Sequence, residues 1–350
     1  MMTPLAQYDF RNPIMGGVLI SAGGFEERAT TFLRHLRSDS KLQMSILLRY
    51  RSQQSDNDGN FKFAKRRLTR LLGRMPDVVN VHGARPHEAY DAINAAVGKL
   101  APKLNQRRAI VDISGMTQFL ALCTVHSCFL AGLPVRLVYT EAQSYFPVAR
   151  ESRAVLRAWK NQDFKRAALY LQSEALRSIH ILPEFAGTFG RLGQSCLILF
   201  AGYEPNRVEG LVQFYAPDRL IVCYGRSPHA RLRWRTNLSK DLHKDLFADQ
   251  HLREIEVSTL NLEEIMALLE SEFNLLHEHY DIAIAPQCAK MQAIASYLFW
   301  RSHPEIQLVF TSPVRFNPSH YSSRAGHTFW CDLFESQTLA QAQDTPAGLS

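Results

Sequence analysis

The sequence predicts an α/β fold of two tandem Rossmann-like parallel-sheet domains, related by internal duplication and joined by a helical connector. Residues 109–140 run as an apolar strand, a polar turn, an apolar helix and a second strand, which is a βαβ unit. Residues 281–311 repeat this order. At nearly the same distance before each unit, an apolar strand ends in Gly, an aromatic residue, Glu and a nearby Arg. Two motifs repeated in one order indicate a duplicated domain.

The composition is typical of a globular protein. The 350 residues are 46% hydrophobic and 21% charged, which is enough chain for two domains of ordinary size. Neither a signal-peptide pattern nor an apolar run long enough to span a bilayer is present in the sequence. The six cysteines include no CxxC pair, which argues against a disulfide framework or a zinc site. We therefore expect a cytoplasmic protein without membrane contact, metal or cofactor.

The first predicted domain, residues 1–147, alternates strands and helices. Apolar side chains recur at helical spacing around Phe32, and Pro86 is typical of a first helical position. Residues 51–60 are rich in Ser, Asn, Asp and Gly, which predicts a loop. This succession favours a doubly wound parallel sheet. The predicted strands are 18–21, 44–50, 78–82, 109–113 and 135–140, and the predicted helices are 27–36, 61–72, 86–99 and 119–131.

The second predicted domain, residues 195–335, repeats this plan after a connector at 148–194. The connector contains two helical patterns, 151–159 and 164–178, and no evident strand. Residues 317–328 are polar and predict a loop, and the tail 336–350 is small and polar, which predicts disorder. The predicted strands of this domain are 196–200, 220–224, 255–257, 281–285 and 306–311, and its helices are 207–215, 240–247, 262–279 and 291–301.

Turns follow four of the predicted strands, at Gly24, Asp112, Gly202 and Pro286. The carboxyl ends of parallel strands share one edge of a sheet, and ligands bind along that edge. Helix N-termini at the same edge offer N–H groups to an anion. The net charge of +7 also suits a phosphate-bearing partner. We therefore expect a nucleotide-like anion in a cleft formed by these four turns.

Some residues at these turns also have structural interpretations. Asp112 could simply cap the helix that follows it. Glu26 with Arg28, and Glu204 with Arg207, could be surface ion pairs. Because the pair occurs in both halves, and surface pairs contribute little stability, we favour a buried role.

The segment from Asp112 to Gln118 resembles the motif of CARF domains, the CRISPR-associated Rossmann fold. In that motif the turn carries Asp or Asn, then Ser or Thr two residues later, then Lys or Arg four residues further. The first copy has Asp112, Ser114 and Gln118, without the cation; the second has the cation, Lys290, without the acid or the hydroxyl. Two such units in one chain also look like the SAVED domain, which reads cyclic oligonucleotides. The resemblance implies a sensor of such ligands in antiviral defence.

The predicted ligand-binding residues lie at the four turns. Ser114, Gly115 and Thr117 would present hydroxyl and backbone donors, and Lys290 would neutralise a phosphate. A lysine at the start of an apolar helix is poorly placed for the helix dipole unless an anion occupies the turn. The complete predicted set is Gly24, Glu26, Arg28, Asp112, Ser114, Gly115, Thr117, Gln118, Gly202, Glu204, Arg207 and Lys290.

The sequence contains no P-loop, HExxH, GxSxG or zinc-deaminase signature. This favours a non-enzymatic sensor that signals to a separate effector protein. An alternative is a phosphodiesterase that cleaves the ligand, with His320 or Tyr321 as the general base. A third is a nucleic-acid-binding or structural subunit that uses the basic stretch 62–74, although such a stretch is also typical of a solvated helix face. A second basic cluster, 226–235, either reaches the ligand or is a surface loop.

Overall fold

The computed structural model describes residues 2–51, 58–83, 85–247 and 252–334. The predicted disordered tail 336–350 lies outside these residues, as does most of the predicted loop 51–60. The chain forms two large sheets built mainly from parallel strands, with helices between successive strands. This confirms the predicted α/β class. Among the described residues, no helix is long and apolar enough to cross a membrane.

The first sheet has seven strands. Five neighbouring strands are parallel, whereas the two at the other edge run antiparallel to their neighbours. In spatial order the strands are β1 (Ala6–Gln7), β14 (Ser322–Leu333), β6 (Val135–Tyr145), β5 (Ala109–Asp112), β2 (Val18–Ala22), β3 (Met44–Tyr50) and β4 (Asp77–Val81). Its helices are α1 (Thr31–His35), α2 (Asp58–Leu72), α3 (Pro86–Leu100) and α4 (Gln118–Leu130).

The second sheet has five strands, and all of them are parallel. Every residue of its central strand except the first is buried, as expected for a parallel sheet covered on both faces. In spatial order the strands are β10 (Leu252–Ser258), β9 (Arg219–Arg226), β8 (Ser195–Ala201), β11 (Asp281–Pro286) and β12 (Gln307–Leu308). Its helices are α7 (Pro205–Tyr215), α8 (Trp234–His243), α9 (Leu262–Leu276) and α10 (Lys290–Ser302).

The parallel strands of both sheets follow one order. Numbered along the chain within each half, they lie side by side as 3-2-1-4-5 in both sheets. Different orders would have contradicted the internal duplication. The shared order agrees with a common ancestor, which stays a prediction.

The connector differs from the prediction. The helix expected at 164–178 ends early, as α6 (Phe164–Ala168), and follows α5 (Ser152–Lys160). The rest of that segment contains β7 (Ser173–His180), which pairs antiparallel with β13 (Phe310–Phe316). Pairing with a distant strand supplies the backbone hydrogen bonds here and overrides a locally helical pattern.

The boundary of the predicted second domain is also different. Strand β14 leaves that half and pairs antiparallel with β6 in the first sheet, and residues from 322 onward are therefore strand rather than the predicted loop. Its apolar side chains Cys331 and Leu333 are fully buried. The long edge of β6 would otherwise expose a row of unpaired backbone groups, and β14 covers it.

Helices α4 and α10 join the two halves. They pack against each other, and the buried core is continuous from the first sheet to the second. Phe129 stacks on Tyr297 with ring centroids 6.3 Å apart, and the Tyr297 hydroxyl lies 3.1 Å from His126 Nδ1. Both helices are buried on nearly every side because each faces a sheet and the other helix.

Two buried histidines make the fold sensitive to acid. Burial lowers the pKa of His126 to about 4 and that of His243 to about 3. An unfolded histidine has a pKa of about 6.5. Below pH 6.5 these histidines therefore bind protons in the unfolded chain but not in the folded chain. Their contribution to the free energy of unfolding is complete above pH 6.5 and decreases as the pH falls towards 4 and 3.

We expect the His243→Phe variant to lose its share of this acid sensitivity. Both ring nitrogens of His243 lack a hydrogen-bond partner among the described residues, and its ring stacks on Tyr224, so phenylalanine conserves the packing. Between pH 7.5 and 5 the variant should gain about 2 kcal/mol relative to the native chain. Urea unfolding at the two pH values measures this difference. A constant offset between the two proteins would contradict it.

Candidate functional site

In each half, the turn after the first strand lies directly against the turn after the fourth. A Cβ atom added to Gly24 would lie 2.5 Å from the Gly115 carbonyl oxygen, and one added to Gly202 would lie 2.6 Å from the Gln287 carbonyl oxygen. Neither Gly24 nor Gly202 has a positive φ. Close backbone approach, rather than a left-handed conformation, therefore requires glycine at both positions.

These two pairs of turns border a cavity of about 1030 Å³ between the carboxyl-end edges of the two sheets. Parts of all four predicted turns belong to its wall, as does Phe310, the first residue of β13. Among the described residues that line it, positive charge exceeds negative charge. The lining cations are Arg28, Arg51, Arg177, Arg207, Arg235, Arg315 and Lys290, and the lining carboxylates are Glu26, Glu141 and Glu204.

A buried ion-pair network connects the two halves at the base of this cavity. Glu26 Oε1 accepts from Arg28 Nε at 2.8 Å and from the Ser322 hydroxyl at 2.5 Å, and Glu26 Oε2 lies 3.5 Å from Lys290 Nζ. Arg28 also donates to the Tyr139 hydroxyl at 3.0 Å. Burial alone would raise the pKa of Glu26, but the two cations outweigh it and hold that pKa below its usual value.

The second half contains a related but simpler pair. Arg207 Nη1 donates to Glu204 Oε2 at 2.8 Å, and the Ser173 hydroxyl donates to Glu204 Oε1 at 2.6 Å. Arg207 Nη2 donates to the Thr311 hydroxyl at 2.8 Å. The side chains of both predicted Glu–Arg pairs are largely enclosed, so these are not surface ion pairs.

The predicted roles of Asp112 and Ser114 are wrong. Both side chains are fully buried, and neither residue lines the cavity. Asp112 Oδ1 accepts from the Ser114 hydroxyl at 2.5 Å, and Ser114 Oγ accepts from the Thr140 N–H at 2.8 Å, so the two side chains fasten the turn to β6. Burial raises the pKa of Asp112 to about 6. Thr117, not Asp112, caps α4, because its hydroxyl accepts from the Leu120 N–H at 3.2 Å.

We expect Ser114→Ala to destabilise the protein without acting directly on a ligand. The change removes the hydroxyl that bridges Asp112 and Thr140 and leaves buried polar groups unpaired, which costs about 1–3 kcal/mol. Urea unfolding measures the loss, and ligand titration of the folded variant provides the control. A clear loss of affinity in a fully folded variant would contradict this structural role.

Gly115, Thr117 and Gln118 do line the cavity. The Tyr50 hydroxyl donates to the Gly115 carbonyl at 3.0 Å and accepts from the Thr117 N–H at 3.0 Å. One of the predicted backbone donors is therefore already in use. The N–H groups of Gln118 and Phe119, at the first two positions of α4, have no partner within the helix.

Lys290 and Gln118 are each the first residue of a helix, α10 and α4. Lys290 lines the cavity, but its Nζ donates to the Ser114 carbonyl at 3.0 Å and lies close to Glu26. Burial, with the charge of Arg28, lowers its pKa to about 8. A bound anion is therefore not needed to explain the position of this lysine, because Glu26 from the other half already offsets its charge.

Arg235 is a cavity residue that the turn motifs did not single out. It comes from α8, lies beside the aromatic rings of Tyr145 and Tyr203, and donates through Nη1 to the carbonyls of residues 145–147. Within the described part of the chain no carboxylate forms an ion pair with it. Its only sequence signal was its place in the basic cluster 226–235.

The sequence patterns assigned no role to four further polar side chains in the cavity. His229 from the second half lies 2.8 Å from a carboxylate oxygen of Glu141 from the first half. Gln287 Nε2 and the Tyr203 hydroxyl are buried without a hydrogen-bond partner among the described residues. Because Glu141 and His229 are 88 positions apart in the chain, their contact leaves no local pattern in the sequence.

The two alternative general bases, His320 and Tyr321, occupy different positions relative to the cavity. Tyr321 lines the cavity, with its ring edge-on to Phe25 at 5.2 Å, whereas His320 does not line it and is paired with Asn317 Nδ2 at 2.9 Å. Burial raises the pKa of Tyr321 far above neutrality, so it is unsuited to act as a base. The geometry therefore does not support general-base catalysis by either residue.

No family model matches this chain, and no curated protein matches it. A solved type III CRISPR defence DNA nuclease activated by cyclic oligoadenylate aligns with 82% of this chain and 64% of its own, with 9% identity and a TM-score of 0.47. This chain therefore spans less than two thirds of that nuclease. Can2 from Sulfobacillus thermosulfidooxidans, solved with cyclic tetra-adenylate, aligns with 38% of this chain and 37% of its own, with 14% identity and a TM-score of 0.26. At these scores neither likeness carries a functional conclusion.

Proposed function

We propose that the protein is a sensor that binds an oligonucleotide, linear or cyclic, in the cavity between its two halves and signals to a separate effector protein. The observation that carries the proposal is the cavity itself. It lies at the carboxyl-end edges of two parallel sheets, and its described wall carries more cations than carboxylates. A role in antiviral defence, implied by the CARF-like turn, is part of this proposal.

The size of the cavity favours a ligand larger than a mononucleotide. Sites for drug-sized ligands occupy about 300–1,000 Å³, and this cavity of about 1030 Å³ lies at the upper limit of that range. Aromatic side chains in the wall, among them Phe25, Tyr203 and Phe316, offer surfaces for bases. Phosphates would be neutralised by the lining cations.

Helices α4 and α10 offer a route for the signal. Each begins at the cavity, and the two pack against each other along the junction of the halves. A ligand that contacts both N-termini would favour one arrangement of the halves over another, as a difference in affinity between two states requires.

Isothermal calorimetry and thermal shifts against mononucleotides and against linear and cyclic oligoribonucleotides test the proposal. We expect heat and a raised Tm with oligonucleotides, and weaker binding as salt increases. Arg66→Glu is a matched control, because Arg66 is an exposed residue of the basic helix α2, outside the cavity. Absence of binding across the panel would contradict the proposal, and binding that disappears in Arg66→Glu would favour the nucleic-acid alternative on α2.

We expect Gln118→Lys to strengthen oligonucleotide binding. Gln118 lines the cavity at the first position of α4, where α10 has Lys290, so the change adds one cation to the wall. Affinity should increase by about tenfold at low salt, and its salt dependence should steepen by about one phosphate contact. Calorimetry at two salt concentrations measures both. Unchanged affinity with an unchanged salt slope would show that this position does not meet a phosphate.

A further inference from the structure

The two halves of the cavity differ at positions that correspond to each other. In each half, a glycine after the first strand lies against the carbonyl oxygen of a residue in the turn after the fourth strand. That residue is Gly115 in the first half and Gln287 in the second. The residue after the glycine is Phe25 in the first half and Tyr203 in the second. The second half therefore has an amide and a hydroxyl where the first half has neither.

Three enclosed polar atoms of the cavity-lining residues have no hydrogen-bond partner in the described part of the chain, and all three belong to the second half. They are the Tyr203 hydroxyl, Gln287 Nε2 and Arg207 Nε. Tyr203 and Gln287 are only 8% and 7% exposed, and burial raises the pKa of Tyr203, so its hydroxyl keeps the proton. Each of these atoms can donate a hydrogen bond. Leaving such donors unpaired costs free energy, which a ligand with suitable acceptors recovers.

Positive charge is concentrated in the same half. Among the described lining residues, the first half supplies two cations and two carboxylates, whereas the second supplies four cations and one carboxylate. One of these cations, Arg235, lies 5.5 Å from the ring centroid of Tyr203. Burial raises the pKa of Cys288 to about 11 although the charge of Arg235 opposes this, so Arg235 is also close to the turn that contains Gln287. A hydroxyl, an amide and a guanidinium thus lie together in one part of the wall.

We propose that this part of the wall binds a terminal phosphate, and that the ligand is a linear oligonucleotide with a phosphomonoester at one end. The proposal rests on the proposed function, because it specifies the chemical class of the same ligand. A phosphomonoester has three strong acceptor oxygens and a charge of about −1.5 to −2 at pH 7, which suits several donors beside a cation. The phosphodiesters of a cyclic oligonucleotide each carry one charge and are spread around the ring, so a ring gains less from a wall with unequal halves.

Such a ligand would bind in one direction. Its phosphorylated end would lie at the second half, and its bases would lie towards the first, where Phe25 offers a ring and no hydroxyl. The helix N-termini differ in the same sense, because α4 begins with Gln118 and α10 with Lys290. The Tyr203 hydroxyl and Gln287 Nε2 are enclosed in the structure, so small side-chain rotations would accompany their contact with the phosphate.

The test is isothermal calorimetry of the full chain with linear tetraribonucleotides of each base that carry a 5′-phosphate, a 3′-phosphate or hydroxyls at both ends, and with the cyclic form. We expect one phosphorylated form to bind about 10- to 100-fold more tightly than the hydroxyl form. This preference should decrease as salt increases. The cyclic form should bind no more tightly than the hydroxyl form. The arm that binds most tightly identifies which end carries the phosphate.

Two variants assign the preference to this part of the wall. Tyr203→Phe should reduce it about tenfold and leave the Tm unchanged or higher, because the lost hydroxyl has no partner among the described residues. Gln287→Glu should abolish the preference, since a carboxylate repels the phosphate. Gln118→Glu is the matched control, because it makes the same chemical change in the wall of the first half. It should weaken the phosphorylated and hydroxyl forms by similar factors and keep their ratio native.

The outcomes separate this proposal from the sensor proposal. Equal affinity for the phosphorylated and hydroxyl forms, or tightest binding of the cyclic form, would contradict the terminal-phosphate site and leave the sensor proposal standing. A preference that persists in both Tyr203→Phe and Gln287→Glu would place the phosphate elsewhere and would also overturn it. If no form binds, both proposals are wrong.

Discussion

Replacing Glu26 by alanine is expected to lower the free energy of unfolding by about 3–5 kcal/mol, the cost of breaking a buried ion pair from one side. Glu26 is the carboxylate shared by Arg28 and Lys290, and all three residues are at most 9% exposed. The alanine variant leaves both cations buried without that carboxylate, and leaves the Ser322 hydroxyl without its acceptor. Urea unfolding followed by circular dichroism measures the loss.

Glu204→Ala is the matched control in the other half. Glu204 is equally buried but pairs with a single cation, Arg207, so its loss should cost clearly less than the loss of a carboxylate shared by two cations. Inorganic phosphate should also stabilise Glu26→Ala more than the native chain, because an anion that binds only the folded form compensates for the missing carboxylate. Equal losses in the two variants, with no difference in the phosphate effect, would show that the network is not the source of the stability.

The sequence predicts the regular part of this fold well, for a physical reason. The central parallel strands, such as β2, β5 and β11, are short apolar runs followed by helices whose pattern is local, so one segment is enough to identify both. Because parallel strands end at the same edge of their sheet, the same patterns place the four turns at the carboxyl-end edges of the two sheets. Strands β7 and β14 are not predicted in this way, because their sequence patterns are weak and their partner strands are distant. Strand β14 pairs with a strand nearly two hundred residues earlier.

The residues of the candidate site also divide into those that a local sequence pattern identifies and those whose contacts come from distant segments. Gly24 and Gly202 are found from the sequence because a backbone approach requires glycine wherever the motif occurs. The burial of Asp112 and Ser114, however, depends on β6 passing over the turn, and the pairing of Lys290 depends on a carboxylate 264 positions away. Such contacts depend on how segments distant in the chain meet, which no single segment encodes.

The largest effect on binding is expected for Arg235→Gln. Arg235 is a half-buried lining cation without a carboxylate partner in the described chain, and burial lowers its pKa although it stays charged at neutral pH. A hydrogen bond to a charged group contributes about 1.5–3 kcal/mol, so the variant should bind oligonucleotides roughly 10- to 100-fold more weakly. Calorimetry at several salt concentrations should also give a smaller salt slope, by about one contact.

Arg235→Lys separates charge from geometry in this prediction. Lysine keeps the positive charge but loses the planar fork that donates to the carbonyls of residues 145–147 and lies beside Tyr145 and Tyr203. The salt slope should therefore stay native while the affinity falls only in part. If Arg235→Gln lowers the Tm but keeps native affinity and slope, the guanidinium serves only to hold α8 against the end of β6, and the phosphate-binding role is excluded. A loss shared equally by both variants, with the native slope in each, would instead assign the effect to the carbonyl contacts.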